Sequence, residues 1–319
     1  MQNLKISIII PCYNEENVIE TTNQRVSAVL DDNKLNYEII YINDGSVDNT
    51  LNIIRTFSKK NKNIKIINFS RNFGHQAAVT AGLHNCIGDI AIIIDADLQD
   101  PPEIFPEMIN VYLKEKCNVV YAVRKLRKKE GLLKKITAKI YYRLINMLSE
   151  VRIPLDTGDF RLIDRKVINA FKQLDEKNKY IRGLMSWLGF KQLPIYYDRD
   201  PRLSGKTKYS LPKMIKLATT GMFYFSKKPL KLSLSLGLIS IILSLAIVAY
   251  VFISKFFDPA ATMKGWSSTL IIIIFFGGVQ LFMVGILGEY IGSIFDEVKK
   301  RPEFIIDEKI NFLTTKGKK

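Results

Sequence analysis

Asp89–Glu103 reads DIAIIIDADLQDPPE. Its first part, Asp89–Ile94, is a short apolar run rich in isoleucine, of the kind that a sheet covered on both faces requires. Directly behind it come Asp95 and Asp97, one residue apart, then Gln99, then a Pro101-Pro102 pair able to open the next helix. Four other runs have the same character: Ile6–Ile10, Glu38–Ile42, Ile64–Phe69 and Asn118–Val123. Between them Glu15–Leu30, Asn49–Lys59, Gln76–His84 and Pro102–Leu113 read as helices. Strand–helix alternation predicts an α/β fold with a mostly parallel sheet. Ligands of such sheets bind beyond the carboxyl ends of the strands, so the strings that follow the strands are where chemistry is expected.

Two carboxylates at one strand end can both face a cleft and hold a hard divalent cation that also binds a diphosphate. Gln99 can add an amide oxygen. A D-x-D string alone is equally consistent with a solvated turn; the longer string Asp95–Glu103 is more specific. Pro11-Cys12-Tyr13-Asn14-Glu15 follows the first run and offers an aromatic ring and a carboxylate for a base, while Asn14 can simply cap the next helix. Asp44-Gly45-Ser46 follows the second, with Asp44 suited to a nucleoside, Gly45 to a tight turn, and Asp48 or Asn49 to a helix cap. Arg71-Asn72-Phe73-Gly74-His75 follows the third, with Arg71 placed for a phosphate or a carboxylate. His75 is expected to be only partly charged at neutral pH.

Charge and hydropathy divide the chain. Residues 1–110 hold 9 Lys/Arg and 14 Asp/Glu, whereas residues 111–231 hold 29 and 10. The basic part precedes two uncharged stretches, Leu232–Ser254 and Gly265–Gly288, each long enough to cross ~30 Å of hydrocarbon. A lipid surface therefore explains the positive charge better than nucleic acid does. Lys227, Lys228 and Lys231 flank one side of the pair and Lys299, Lys300 and Arg301 the other, so the positive-inside rule puts the N-terminal domain and both termini in the cytoplasm. No secretory signal is read at Met1–Lys5. Apolar residues at three- and four-residue steps among lysines give basic amphipathic helices near 132–148 and 211–225, suited to a membrane interface or to packing on the sheet. Three scattered cysteines, Cys12, Cys86 and Cys117, argue against a disulfide framework and suit a reducing compartment. The expected organisation is 1–130 for nucleotide binding, 131–230 for the acceptor, two transmembrane helices within 231–291 (about 232–254 and 266–288), and a short polar cytoplasmic tail over 292–319.

Together these strings resemble the family-2 glycosyltransferases of GT-A fold over roughly residues 4–230. Within that family the chain is similar to the polyprenyl-phosphate glycosyltransferases, the dolichol-phosphate mannosyltransferases and the bactoprenol glucosyltransferases. Asp156-Thr157-Gly158-Asp159-Phe160-Arg161-Leu162 carries that similarity, with Arg199-x-x-Arg202-x-x-Gly205-x-Thr207-Lys208-Tyr209 and Lys300-Arg301-Pro302-Glu303-Phe304. The resemblance implies that Pro11, Tyr13, Glu15, Asp44, Arg71 and Asp95 hold the nucleotide. Asp95, Asp97 and Gln99 would hold Mg²⁺ or Mn²⁺, and Arg124, Arg202 and Lys208 would face the donor and lipid phosphates. Asp97, Asp159 and Arg202 form the implied catalytic set, with Asp159 steering the acceptor or serving as a base; a structural salt bridge to Arg161 or Arg182 is the other reading. Many relatives carry Lys in place of His75 and Ser in place of Thr207.

The implied reaction moves a hexose, glucose from UDP-glucose first, onto polyprenyl phosphate with inversion, for cell-envelope glycan modification at the inner (cytoplasmic) membrane. The acceptor is undecaprenyl phosphate if the source is bacterial. GDP-mannose or another UDP-sugar is the alternative donor, and a non-catalytic membrane scaffold the alternative class. A processive synthase would carry Q-x-x-R-W and a P-loop enzyme GxxxxGK[ST]; neither string occurs. Two spans per chain make a homo-oligomer plausible.

Overall fold

The computed structural model describes residues 4–124, 157–177, 179–198, 228–257 and 266–312. It divides into two compact units, one of Met1–Lys139, Val151–Ser210 and Arg301–Lys319, the other of Ile140–Glu150 and Leu211–Lys300. In the first unit β1 (Lys5–Cys12), α1 (Ile19–Asp32), β2 (Asn36–Asn43), α2 (Thr50–Lys60), β3 (Ile64–Phe69), α3 (His75–Asn85) and β4 (Ile90–Ile93) follow the expected alternation. A 3-10 turn at Pro102–Ile104 then opens α4 (Phe105–Glu115), which leads to β5 (Val119–Arg124). After these come β6 (Thr157–Asp164), α5 (Arg165–Phe171), α6 (Ile181–Trp187), β7 (Gln192–Tyr197) and, near the C-terminus, β8 (Ile306–Ile310).

The strands form one sheet in the order β7-β5-β6-β4-β1-β2-β3-β8. β1 pairs in parallel with β2 and β4, as β2 does with β3 and β5 with β7, whereas β6 and β8 run antiparallel to their neighbours. Isoleucines make the centre: Ile6, Ile8, Ile9, Ile10, Ile39, Ile40, Ile42, Ile66 and Ile67 are wholly buried. Both faces are covered, so no polar–apolar alternation survives in these strands. On one face Ile8, Ile10, Ile39 and Ile92 meet α1 and α4 through Val26, Leu30 and Phe105. On the other, α3 lies so close that a Cβ at Gly82 would sit 2.4 Å from Ile9 Cγ2. The helix can approach only because position 82 has no side chain.

The structure departs from the sequence expectations at two places, Asn14 and the C-terminal tail. Asn14 does not cap α1, which begins at Ile19; it turns at φ 54° and its Oδ1 accepts from the Val47 N–H at 2.9 Å. Of the two residues expected to cap α2, Asp48 does so: its Oδ1 accepts from the Thr50 N–H at 3.0 Å. The segment read as a polar tail contains β8, which lines the β3 edge with Ile66 opposite Ile310.

In the second unit α7 (Lys228–Phe257) and α8 (Trp266–Val298) are long helices, with Gly237 against Met283. α8 continues past Gly288 to Val298, and Phe275–Val298 is long and apolar enough to cross a membrane, with a mean hydropathy of 1.5. The amphipathic segments 132–148 and 211–225 lie outside the described residues.

One ion pair is buried inside the sheet. Lys65 Nζ lies 2.6 Å from Glu38 Oε2, and Glu38 Oε1 also accepts from the Ile87 N–H at 2.7 Å. Removing one member leaves the other charge uncompensated. Glu38→Ala should cost roughly 3 kcal/mol of stability, and Glu38→Ala with Lys65→Met should recover much of that loss. Thermal unfolding of the full chain in detergent checks this; equal midpoints for the single and double variants would count against a buried pair.

Candidate active site

The carboxyl ends of β1 to β5 bring the motif strings to one side of the sheet. β6 joins them because it runs antiparallel, so its first residues, not its last, arrive at that side. This is how Asp159 comes beside Asp95 across 64 residues of sequence.

Two loops are laced together at the ends of β1 and β2. The Asn14 N–H donates to Ser46 Oγ at 3.0 Å and the Glu15 N–H to Thr50 Oγ1 at 2.9 Å. Pro11 and Cys12 are buried in β1, while Tyr13 is 37% exposed and available to a planar ligand. Gly45 sits at φ +64°, and a Cβ there would fall 2.4 Å from the backbone carbon of Arg71. Asp44 is buried, and its carboxylate accepts from the Phe73 N–H at 2.6 Å and the Gly74 N–H at 3.0 Å. Burial raises its pKa above the usual carboxylate value, and those two N–H groups pull it partly back. The side chain expected at a nucleoside is therefore engaged with the loop between β3 and α3. In that loop the Arg71 guanidinium lies over the Phe73 ring, 4.0 Å from its centroid.

Beyond β4, Asp95 and Asp97 are partly exposed and Gln99 is buried. Asp97 Oδ1 accepts from the Gln99 N–H at 3.2 Å. Gln99 Oε1 is a buried acceptor with no hydrogen-bond partner among the described residues. Burial lifts the Asp95 carboxyl to about 6, with His75 pulling it down and Asp100, Asp159 and Asp97 pushing it up. A third of the Asp95 side chain meets solvent. Among the described residues no three His, Cys, Asp or Glu side chains form a ready metal cluster.

A charge network backs these residues. Asp159 is 6% exposed and takes Arg182 Nε at 2.8 Å, His75 Nε2 at 3.2 Å and Gln76 Nε2 at 3.2 Å. Burial alone would raise its pKa, but Arg182 and His75 hold it well below the usual carboxylate range. So low a carboxyl is a poor proton acceptor, and the geometry is that of a salt bridge to Arg182; Arg161 is more distant at 4.0 Å. His75 differs from the sequence expectation. Burial lowers its pKa, yet Asp95 at 3.7 Å and Asp159 outweigh burial and raise it to about 9. It is a cation at neutral pH.

Sequence reasoning did not single out Tyr197, whose hydroxyl donates to Asp100, nor Asp100 itself. Arg124 Nε donates to that same hydroxyl at 3.3 Å, and its Nη2 lies 3.8 Å from Asp100. Asp100 was legible as the acid next to Gln99; Tyr197 gave no local signal. Arg202 and Lys208 lie outside the described residues, as do Asp156, Arg199, Gly205, Thr207 and Tyr209.

The two positive-φ glycines of this site make a paired test. Gly74, at φ +102°, has nothing within 4 Å of an added Cβ, so Gly74→Ala should cost only backbone strain of about 1–2 kcal/mol. Gly45→Ala adds a clash with the backbone of Arg71 and should cost at least about 1 kcal/mol more. Thermal midpoints of the two variants decide; equal losses would mean that the loops do not press together at Gly45.

The sequence matches glycosyl transferase family 2 over residues 7–171 and the GtrB C-terminal hairpin over residues 228–294. It is 48% identical over 307 residues to the glycosyltransferase YkcC of Bacillus subtilis, covering 96% of this chain and 94% of that one. It is 43% identical over 305 residues to the glycosyltransferase sll0501 of Synechocystis, with coverage of 96% and 95%. It is also 38% identical over 305 residues to the SfII prophage-derived bactoprenol glucosyl transferase of Shigella flexneri, covering 95% and 97%. The α/β sheet with its acidic strand end thus has the GT-A architecture, and the chain belongs to glycosyl transferase family 2.

Proposed function

We propose that this glycosyltransferase moves glucose from UDP-glucose onto undecaprenyl phosphate at the cytoplasmic face of a membrane. The observation that carries the reading is the near-full-length match, hairpin included, to a relative named for bactoprenol glucosyl transfer. The site geometry agrees, because Asp95 lies 3.7 Å from His75 at the sheet end where Arg124 meets Asp100 and Arg182 meets Asp159.

The donor set Asp95, Asp97 and Gln99 is all oxygen and suits a hard divalent cation, and the unpartnered Gln99 Oε1 is an acceptor ready for one. Mg²⁺ or Mn²⁺ held there would neutralise charge on the departing diphosphate. Tyr13 would stack on the base, Pro11 and Glu15 would frame it, and Asp44 would act through the loop it holds. Arg71 would meet the donor phosphates, and Arg124, Arg202 and Lys208 the acceptor phosphate. That phosphate is already ionised at neutral pH, so its oxygen attacks the anomeric carbon without a strong base. The new carbon–oxygen bond forms as the bond to UDP breaks, UDP leaves with the electron pair, and the configuration inverts. Positioning and electrostatics then supply most of the rate. Asp159, saturated by Arg182, His75 and Gln76, serves to orient those groups.

We further infer that α7 and α8 form a transmembrane hairpin, with the glycosyltransferase domain and both termini in the cytoplasm. The lysine-rich flanks and the net positive 111–231 segment support this.

The test is transfer of labelled sugar into the lipid phase by the full chain with undecaprenyl phosphate and a panel of UDP- and GDP-sugars. UDP-glucose should be the productive donor, EDTA should stop transfer, and Asp97→Asn should lower kcat by at least about 10²-fold. Transfer from GDP-mannose alone would overturn the donor assignment. Full activity in Asp97→Asn would overturn the role of the acidic pair.

A further inference from the structure

The segment that returns from α8 to the sheet touches the donor side of the site before it becomes a strand. Phe304 stacks on Phe69, with ring centroids 5.1 Å apart and planes inclined by 11°. Phe69 is buried at the end of β3 and meets Phe73 edge-on at 5.7 Å. Phe73 carries Arg71 on its face and donates its N–H to Asp44. A backbone link runs beside the rings, since the Ser70 N–H donates to the Ile305 carbonyl at 3.1 Å. A second route reaches the same place: Asn68 Nδ2 donates to Asp307 Oδ2 at 3.1 Å, and Asn68 Oδ1 accepts at 2.7 Å from Asn43, the residue before Asp44. The segment is itself pinned by Glu303, which pairs with the buried Lys179 at 3.0 Å.

We propose that Phe304 is a positioning residue for the nucleotide-sugar donor, ordering through Phe69 and Phe73 the loop that Asp44 holds and that presents Arg71. The proposal rests on the reading that the donor binds at this end of the sheet. Phe304 precedes the β8 ladder, which begins at Ile306, so its ring is not needed to pair the strand. What it contacts is the root of the β3–α3 loop. Holding that loop in advance removes part of the ordering cost that a bound donor would otherwise meet. Linkage makes the effect reciprocal: a donor that favours the ordered loop must tighten the Phe304 segment by the same factor.

The experiment uses the full chain in detergent micelles, with UDP and GDP as binding probes and UDP-glucose and undecaprenyl phosphate for kinetics. Phe304→Ala should raise the UDP Kd and the donor KM roughly five- to tenfold, the range expected for losing one aromatic stack. The acceptor KM should stay within about twofold, and Phe304→Tyr, which keeps the ring, should behave as wild type. A general loss of packing would instead move the donor and acceptor KM together, and that result overturns the proposal, as does an unchanged donor affinity in Phe304→Ala. Hydrogen exchange on the wild-type chain gives a second readout that survives misfolding of the variant. UDP should slow exchange of the Ser70 amide, and no change there overturns the proposal too. If wild type binds neither UDP nor GDP, the donor-site reading falls and takes this inference with it; binding by wild type with equal affinity in Phe304→Ala removes the inference alone.

Discussion

A parallel sheet of isoleucines buried on both faces can meet a ligand only at the ends of its strands. Ile9 and Ile42 lie under α3 while Ile8, Ile39 and Ile66 cluster with Val26, Leu30 and Ile54 of α1 and α2, so the central strands are apolar along their middles. Strands that share a direction expose their carboxyl ends together. The four short strings after β1, β2, β3 and β4 are thereby gathered without any contact between them in sequence. The reversal of β6 completes the set, because only an antiparallel strand delivers its N-terminal residues, Thr157 to Asp159, to the same side.

Charge balance then constrains what this side can bind. Asp95, Asp97, Asp100 and Asp159 face His75, Arg124, Arg161 and Arg182 within the network described. Four acids against four bases leave little surplus to meet an anionic diphosphate. Further positive charge is needed for such a donor, and two sources fit the proposed function: a divalent cation at the partly exposed aspartates, and Arg71, which lies outside this network. His75 shows how finely the balance is set. Its charge depends on Asp95 and Asp159, two carboxylates placed by other strands, which together outweigh the effect of burial.

The parts legible in the sequence were those decided locally. Ile64–Phe69 is a strand with the bounds that its apolar run gives, and the helices before and after it fall within a residue or two of their expected limits. Parts decided by distant contacts were not legible. Asn14 looks like a helix cap, but its amide is drawn to Val47 from another loop. The ionisation of His75 rests on Asp95 and on Asp159, the latter 84 residues away. β7 holds Pro194, which argues against a strand in isolation and is tolerated at the sheet edge. β8 has the sequence IDEKI, too polar to stand out, because an edge strand buries only part of each side chain.

That edge strand also bears on how the chain can meet a membrane. β8 follows α8 in sequence, yet it pairs with β3 inside the first compact unit. The chain therefore leaves that unit before α7 and must come back to it after α8. A folded sheet cannot be divided by a bilayer, so the number of crossings between Ser210 and Arg301 has to be even. α8 contains a stretch able to span by length and composition. If it crosses, a second crossing is required, for which α7 is the other long apolar helix among the described residues, and the pairing of Ile66 with Ile310 is what imposes this. The lysines on both flanks lead to the same topology by an unrelated argument, from electrostatics instead of connectivity. Agreement between the two is the strongest physical reason to treat the pair of helices as a hairpin and not as one anchor beside a surface helix.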